Sequence, residues 1–126
     1  MEKKISYEKT VQYSDLDTMA NISTSRLHDL INNDTFKVLE ELGLTTSYLK
    51  KNQLILFTKN MSVNIEKSPQ FNDQLLIQTT VKTNDEMINS HTTVLKDGQK
   101  ICELLSEYEL QNAQGEKVAF SHLSFA

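Results

Sequence analysis

A single cysteine, Cys102, leaves no room for a disulfide framework and fits a reducing compartment. No apolar run approaches the ~20 residues needed to cross a bilayer. The opening MEKKISYEKT has no apolar core behind its lysines, so no secretion signal is expected. Without secretion, the Asn-x-Ser/Thr triplets at Asn21, Asn33 and Asn60 have no meaning as glycosylation sites. Long basic tracts are missing as well: the longest lysine runs are the pairs Lys3-Lys4 and Lys50-Lys51, and the net charge is -4. That balance argues against a nucleic-acid binder driven by phosphate contacts. There is no Gly-rich phosphate loop, no G-x-S-x-G elbow and no C-x-x-C. His28, His91 and His122 lack metal-ligand spacing, so no metal is expected. What remains is a cytoplasmic chain of 126 residues, read as one domain over 1–126, with no membrane and no nucleic-acid partner.

The pattern that is present begins with a strand. Ile5, Tyr7, Val11 and Tyr13 alternate with polar residues, a period of two. The period then changes: Leu27, Leu30, Ile31, Val38, Leu39 and Leu42 fall three or four apart, which predicts a helix from Thr24 to Leu42. Ser23 or Thr24 is a fitting N-cap and Gly43 a fitting stop. The stretch TSYLKKN adds a short helical turn. Strands follow: Leu54 to Ile65, interrupted after it by KSPQFND; Leu75 to Val81, ending at TNDE; Ile88 to Leu95, turning at Asp97-Gly98. Then Cys102, Leu104, Tyr108 and Leu110 alternate with Glu103, Glu107 and Glu109, and a last short strand is expected over Val118 to Phe120. Cys102 lies on the apolar face of its strand and reads as a buried, inert thiol. One helix with four or five antiparallel strands predicts an α+β fold whose sheet curls around the helix.

One corner carries chemical potential. In VQYSDLDTMANISTSRLHDL two acids, Asp15 and Asp17, close a strand just before the helix begins. A helix N-terminus offers unpaired N–H groups and about half a positive charge. It can polarise a carbonyl and hold the oxyanion formed when that carbonyl is attacked. A carboxylate nearby can attack the carbon itself or deprotonate a water. The plainer reading makes both residues turn acids bonded to their own backbone.

This stretch is similar to the opening motif of the hotdog-fold acyl-CoA thioesterases of the 4-hydroxybenzoyl-CoA thioesterase type, which commonly read like R-Y-S-D-T-D-A-M-G-H-V-N-N-A-R-Y. Tyr13, Ser14, Asp15, Asp17, Met19 and Arg26 match it. KSPQFNDQLLI resembles the family's P-x-x-x-G-D-x-L-x-I segment through Pro69, Asp73, Leu75 or Leu76, and Ile77. The resemblance implies a hotdog fold, a curved antiparallel sheet of about five strands wrapped around one long helix. It implies a homodimer or homotetramer that hydrolyses an acyl-CoA or acyl-carrier-protein thioester, with no cofactor beyond that substrate. Asp17 aligns with the catalytic acid, as nucleophile or general base, and the N–H groups near Ser23 and Thr24 would polarise the carbonyl. Asn21, Leu27, Ile31 and Phe57 are the expected substrate-binding residues, and Lys59 and Lys67 could meet phosphate.

The departures bear on activity. Ala20 replaces Gly, Asn21 replaces His, Ser23 and Thr24 replace an Asn pair, Leu27 replaces Tyr, and Asn32 stands where an acid is common. Asn21 can hydrogen-bond a carbonyl or water, yet it cannot change protonation near neutral pH as His does. Two alternatives follow. One is a catalytically weak or inactive hotdog module that binds an acyl ligand or a protein partner. The other is the hydratase branch of the fold, which needs a His–acid pair; His28 beside Asp29 is the one helix candidate.

Overall fold

A computed structural model describes residues 2–16, 24–41, 43–85 and 87–119. Strand β1 (Glu2–Thr10) runs into a single 3-10 turn (Tyr13–Asp15), and helix α1 spans Thr24–Glu41. A short helix α2 (Thr46–Lys51) precedes strands β2 (Ile55–Ile65), β3 (Gln74–Thr83), β4 (Ile88–Lys96) and β5 (Gln99–Gln111). The five strands form one antiparallel sheet in the order β1-β3-β4-β5-β2. The expected sheet with one long helix is therefore found.

Local chemistry sets the boundaries. The α1 stripe ends where Gly43 adopts φ 99°, and the Gly43 and Leu44 N–H groups return to the carbonyls of Glu40 and Leu39. These two bonds satisfy end carbonyls of the helix, and Leu44 is buried beyond them. Thr45 caps α2, its hydroxyl accepting the Tyr48 N–H at 3.1 Å. β1 stops at Thr10, short of the expected Tyr13, because Val11 bonds the β2–β3 loop instead. Its N–H reaches the Asp73 carbonyl at 3.0 Å, and its carbonyl takes the Asn72 N–H at 2.9 Å. The strand expected at Val118 to Phe120 reduces to a bridge between Gln111 and Lys117 and the Val118 N–H bond to Leu110 O. Asn112 explains this: its Oδ1 accepts the N–H groups of Gln114 and Glu116, which curls the chain into a turn. Phe120 lies outside the described residues.

β4 and β5 meet through Asp97-Gly98, with Lys96 paired to Gln99 and both turn residues at positive φ (52° and 79°). That two-residue turn matches the right-handed twist of its strands. A Cβ on Gly98 would meet no atom within 4 Å, so a substitution there acts through backbone conformation alone. Gly98→Ala is expected to cost about 1 kcal/mol in urea unfolding without changing the fold.

The inner face of the sheet packs in two separate apolar clusters. One gathers Val11, Leu75, Ile77, Val94, Ile101, Cys102 and Leu104; the other joins Val38, Leu39 and Leu44 to Val81, Ile88, Tyr108 and Leu110. Between them the inward positions turn polar: Thr79, Thr92, Ser90 and Ser106 are all buried. Thr79 stands opposite Thr92 and Ser90 opposite Ser106, so the hydroxyls form a band across β3, β4 and β5. Asp34 and Thr35 of α1 are buried over that band.

The two edges of the sheet differ in character. β1 presents Glu2, Lys3, Lys4, Glu8 and Lys9, the kind of charge that discourages strand addition. β2 leaves Ile55, Phe57 and Ile65 exposed, by 57%, 46% and 39%.

Candidate active site

The corner between β1 and α1 is tied together by Asp15, which is only 3% exposed. Its Oδ2 accepts the Gln12 N–H at 3.0 Å and lies 3.4 Å from Lys9 Nζ. Its Oδ1 accepts from Arg26 Nη2 at 3.3 Å. Arg26 belongs to the first turn of α1, so one carboxylate joins the end of the strand to the start of the helix. Burial works against its ionisation most strongly. The Gln12 N–H, Lys9 and Arg26 together outweigh that penalty and hold the carboxyl below its ordinary value. Asp15 is thus a turn acid with two cationic partners.

The linkage of Asp15 to stability has a definite sign. A carboxyl whose pKa is depressed on folding stabilises above its unfolded value and loses that contribution as pH falls through the folded one. Asp15→Asn is therefore expected to cost about 1–3 kcal/mol at neutral pH. The gap in melting temperature between parent and variant should close in acid, below about pH 4. A gap of equal size at every pH would show that the charge of Asp15 contributes nothing.

The loop carrying Pro69 and Asp73 joins the same corner through the two Val11 bonds. Asp73 Oδ2 accepts the Gln70 N–H at 2.8 Å, and Oδ1 lies 3.1 Å from Lys96 Nζ. The Gln70 bond is the chief cause of its lowered pKa; burial opposes it, and Lys96 adds to the lowering. Asn72 has φ 69°, a left-handed conformation. Asn is among the side chains that tolerate it best. The two stretches that carry the resemblance are therefore bonded to each other in the fold.

Of the residues expected at the site, Asp17, Asn21 and Ser23 lie outside the described residues. Thr24, Leu27 and Ile31 are placed by their backbone as the first, fourth and eighth residues of α1. The first-turn N–H groups of any helix have no intrahelical acceptor, and here the same turn carries Arg26, which bonds Asp15. Phe57 does not face the inner, helix-covered side of the sheet. Its neighbour Leu56 packs into the inner cluster, and strand alternation puts Phe57 on the outer face. Lys59, beside the bulge in β2, and Lys67, just past the strand, are exposed.

Among the described residues, His91 is occupied and Cys102 is buried. His91 lies on the outer face with Nε2 2.8 Å from Glu103, which also pairs with Lys100 at 2.7 Å. Cys102 is fully buried, and burial, then the nearby Glu66, pushes its thiol up to about 11. It is held as thiol rather than thiolate, as expected for an inert core residue. Among the described residues no three His, Cys, Asp or Glu side chains are grouped to hold a metal ion.

Asp34 was not singled out from the sequence, although it sits on the apolar stripe, three residues after Ile31 and four before Val38. It is 3% exposed; both carboxylate oxygens lie 2.9 Å from the Tyr7 hydroxyl, and Oδ2 accepts from Thr79 Oγ1 at 3.2 Å. Burial raises its pKa above the ordinary value, against the pull of the Tyr7 and Thr79 hydroxyls and of Lys37. An acid on a helix's buried spacing was the signal in the sequence.

Solved structures place this architecture among the hotdog folds. The chain superposes on a gentisyl-coenzyme A thioesterase, BH1999, with a TM-score of 0.76 at 17% identity, covering 94% of this chain and 97% of that one. It superposes on a 1,4-dihydroxy-2-naphthoyl-CoA thioesterase from Synechocystis with a TM-score of 0.82 at 12% identity, over 94% and 90% of the two chains. A third likeness is to an acyl-ACP thioesterase from Bacteroides thetaiotaomicron, with a TM-score of 0.79 at 14% identity. There the match covers 91% of this chain but 49% of that one, so this chain spans about half of that enzyme. No curated protein matches the sequence at a significant level. The fold so defined is the thioesterase hotdog. The acyl-ACP thioesterase N-terminal domain family matches residues 2–125, and the chain belongs to that family, one of thioester hydrolases. These findings do not single out the 4-hydroxybenzoyl-CoA subtype.

Proposed function

We propose that the protein hydrolyses an acyl-CoA or acyl-carrier-protein thioester to a free acid and a thiol, with Asp17 as the acid that drives it. The supporting observation is the Asp15–Arg26 bond, which fixes the first turn of α1 against the strand end two residues before Asp17. Acting as base, Asp17 takes a proton from water, and the hydroxide oxygen adds to the carbonyl carbon. N–H groups at the start of α1, at Ser23 and Thr24, bear the oxyanion. Collapse of the intermediate breaks the C–S bond, and the departing sulfur takes up the proton. A thiolate is a good leaving group, since an ordinary thiol has a pKa near 8.5, so little general-acid assistance is needed. Acting as nucleophile, Asp17 would add to the carbonyl carbon and form a mixed anhydride as the C–S bond breaks and the thiolate leaves; water then opens the anhydride to the free acid and the restored carboxylate.

The partner we propose is a second copy of this chain, paired along β2. The apolar, open β2 edge supports this, against the charged β1 edge. So does the half-length match to the longer acyl-ACP thioesterase, whose remaining half leaves a place for a second domain. Asn21, Leu27 and Ile31 would line the acyl groove, and the exposed Lys59 and Lys67 are candidates for the phosphates of the carrier arm. A cytoplasmic location belongs to the same proposal; no described helix is long and apolar enough to cross a membrane.

The test is free-thiol release from short, medium, long and aromatic acyl-CoAs and from the matching acyl-carrier-protein thioesters. Turnover of one class is expected and would name the substrate. No turnover with any of them would favour a module that only binds acyl groups.

A further inference from the structure

The helix that would polarise the carbonyl is held to the sheet, at its middle, by polar contacts. Asp34 bonds Tyr7 of β1 and Thr79 of β3, and Thr35 Oγ1 lies 2.9 Å from Ser90 Oγ of β4. Three neighbouring strands thus grip two adjacent helical residues. Thr79 is itself fixed, its Oγ1 lying 2.8 Å from Thr92 Oγ1. Apolar packing is non-directional and lets a helix slide or roll by fractions of an ångström. Hydrogen bonds of defined length and angle do not.

The choice of side chain is costly in a way that packing does not explain. Among the described residues Asp34 has no ion-pair partner, and Lys37, one turn further on, acts only at longer range. A buried carboxylate satisfied by two hydroxyls remains an expensive group to bury. An apolar side chain would join the cluster of Val38 and Leu39 directly below. Rules broken at such cost are expected where function requires them.

We infer that Asp34, with Tyr7 and Thr79, is a positioning residue that sets the axial and rotational placement of α1 and so the place of its N-terminal N–H groups. Thr24 lies ten residues, about 15 Å of helix, from Asp34. Helices are stiff along their axis, so looseness introduced at residue 34 is passed along α1 towards residue 24 and loosens that half of the helix. An error of about 1 Å between a reacting carbonyl and its donors can cost a hundredfold in rate. This inference rests on the thioesterase reading for its kinetic consequence, but its structural half stands alone.

The experiment compares Asp34→Asn, Tyr7→Phe, Thr79→Val and Thr79→Ser with the parent by thiol release and by amide hydrogen exchange. Asp34→Asn and Tyr7→Phe are expected to lower kcat by about tenfold or more while KM stays within about twofold. Thr79→Ser, which keeps the hydroxyl, should retain the rate that Thr79→Val loses. Exchange at residues 24–33 should quicken in Asp34→Asn, Tyr7→Phe and Thr79→Val, while the protection of β3–β5 holds. Unchanged exchange at 24–33 in the folded variants overturns the positioning role, whatever the turnover. A parent that turns over no thioester counts against the hydrolase reading alone, and exchange then decides the role of Asp34.

Discussion

Asp17→Asn is expected to leave the fold and melting temperature unchanged and to lower kcat/KM by about 10²–10⁴-fold, the range for loss of a positioned general base. The amide keeps the volume of the carboxylate and can accept a hydrogen bond. It cannot take a proton from water or attack a carbonyl. The comparison that gives the result meaning is Asp15→Asn, run beside it. Asp15 is tied to the Gln12 N–H, to Lys9 and to Arg26, so its loss should appear first as reduced stability at neutral pH. If both variants lose hydrolysis equally at equal stability, the assignment of Asp17 falls and Asp15 must act in the chemistry. Retained turnover in Asp17→Asn would also sink the proposal.

The second large effect concerns the β2 edge. Lysine at both Ile55 and Phe57 is expected to convert the protein from twice the chain mass to the monomer mass in sedimentation, with loss of hydrolysis. Both side chains are exposed on the outer face, so each change alone should alter stability by no more than about 0.5 kcal/mol. Lysine is also the residue with which natural sheets blunt an open edge, and in a two-fold pair the new charges would oppose one another. Circular dichroism identical to that of the parent would confirm that the monomer is folded. A parent that sediments as a monomer and still turns over substrate would overturn the β2 pairing and the idea that a second copy completes the site. A variant that remains dimeric would move the interface elsewhere.

Much of this architecture could be read from hydrophobic period alone. The apolar stripe from Leu27 to Leu42 gave α1 with its start at Thr24, and Gly43 gave its end through the left-handed conformation only glycine adopts without strain. Asp97-Gly98 gave the β4–β5 turn, and the alternation from Cys102 to Leu110 gave the face that β5 buries. These are local matters of backbone conformation and side-chain spacing. The misjudged ends were those settled by distant partners. β1 stops early because Val11 is bonded by Asn72 and Asp73, about sixty residues on, and the chain after Gln111 turns because Asn112 captures its own backbone.

The site divides along the same line. The sequence by itself determined the acid pair before a helix, the family resemblance, and the residue types available for chemistry at the corner. Only the tertiary structure showed that Asp15 is consumed by Arg26 and Lys9, and that Phe57 lies on the outer face of the sheet. Only it showed that Asp34 is buried against Tyr7 and Thr79. The physical reason is that a carboxylate's role depends on which donors and cations come within about 4 Å of it. Here those groups come from strands and turns that are neighbours in space and far apart in the chain.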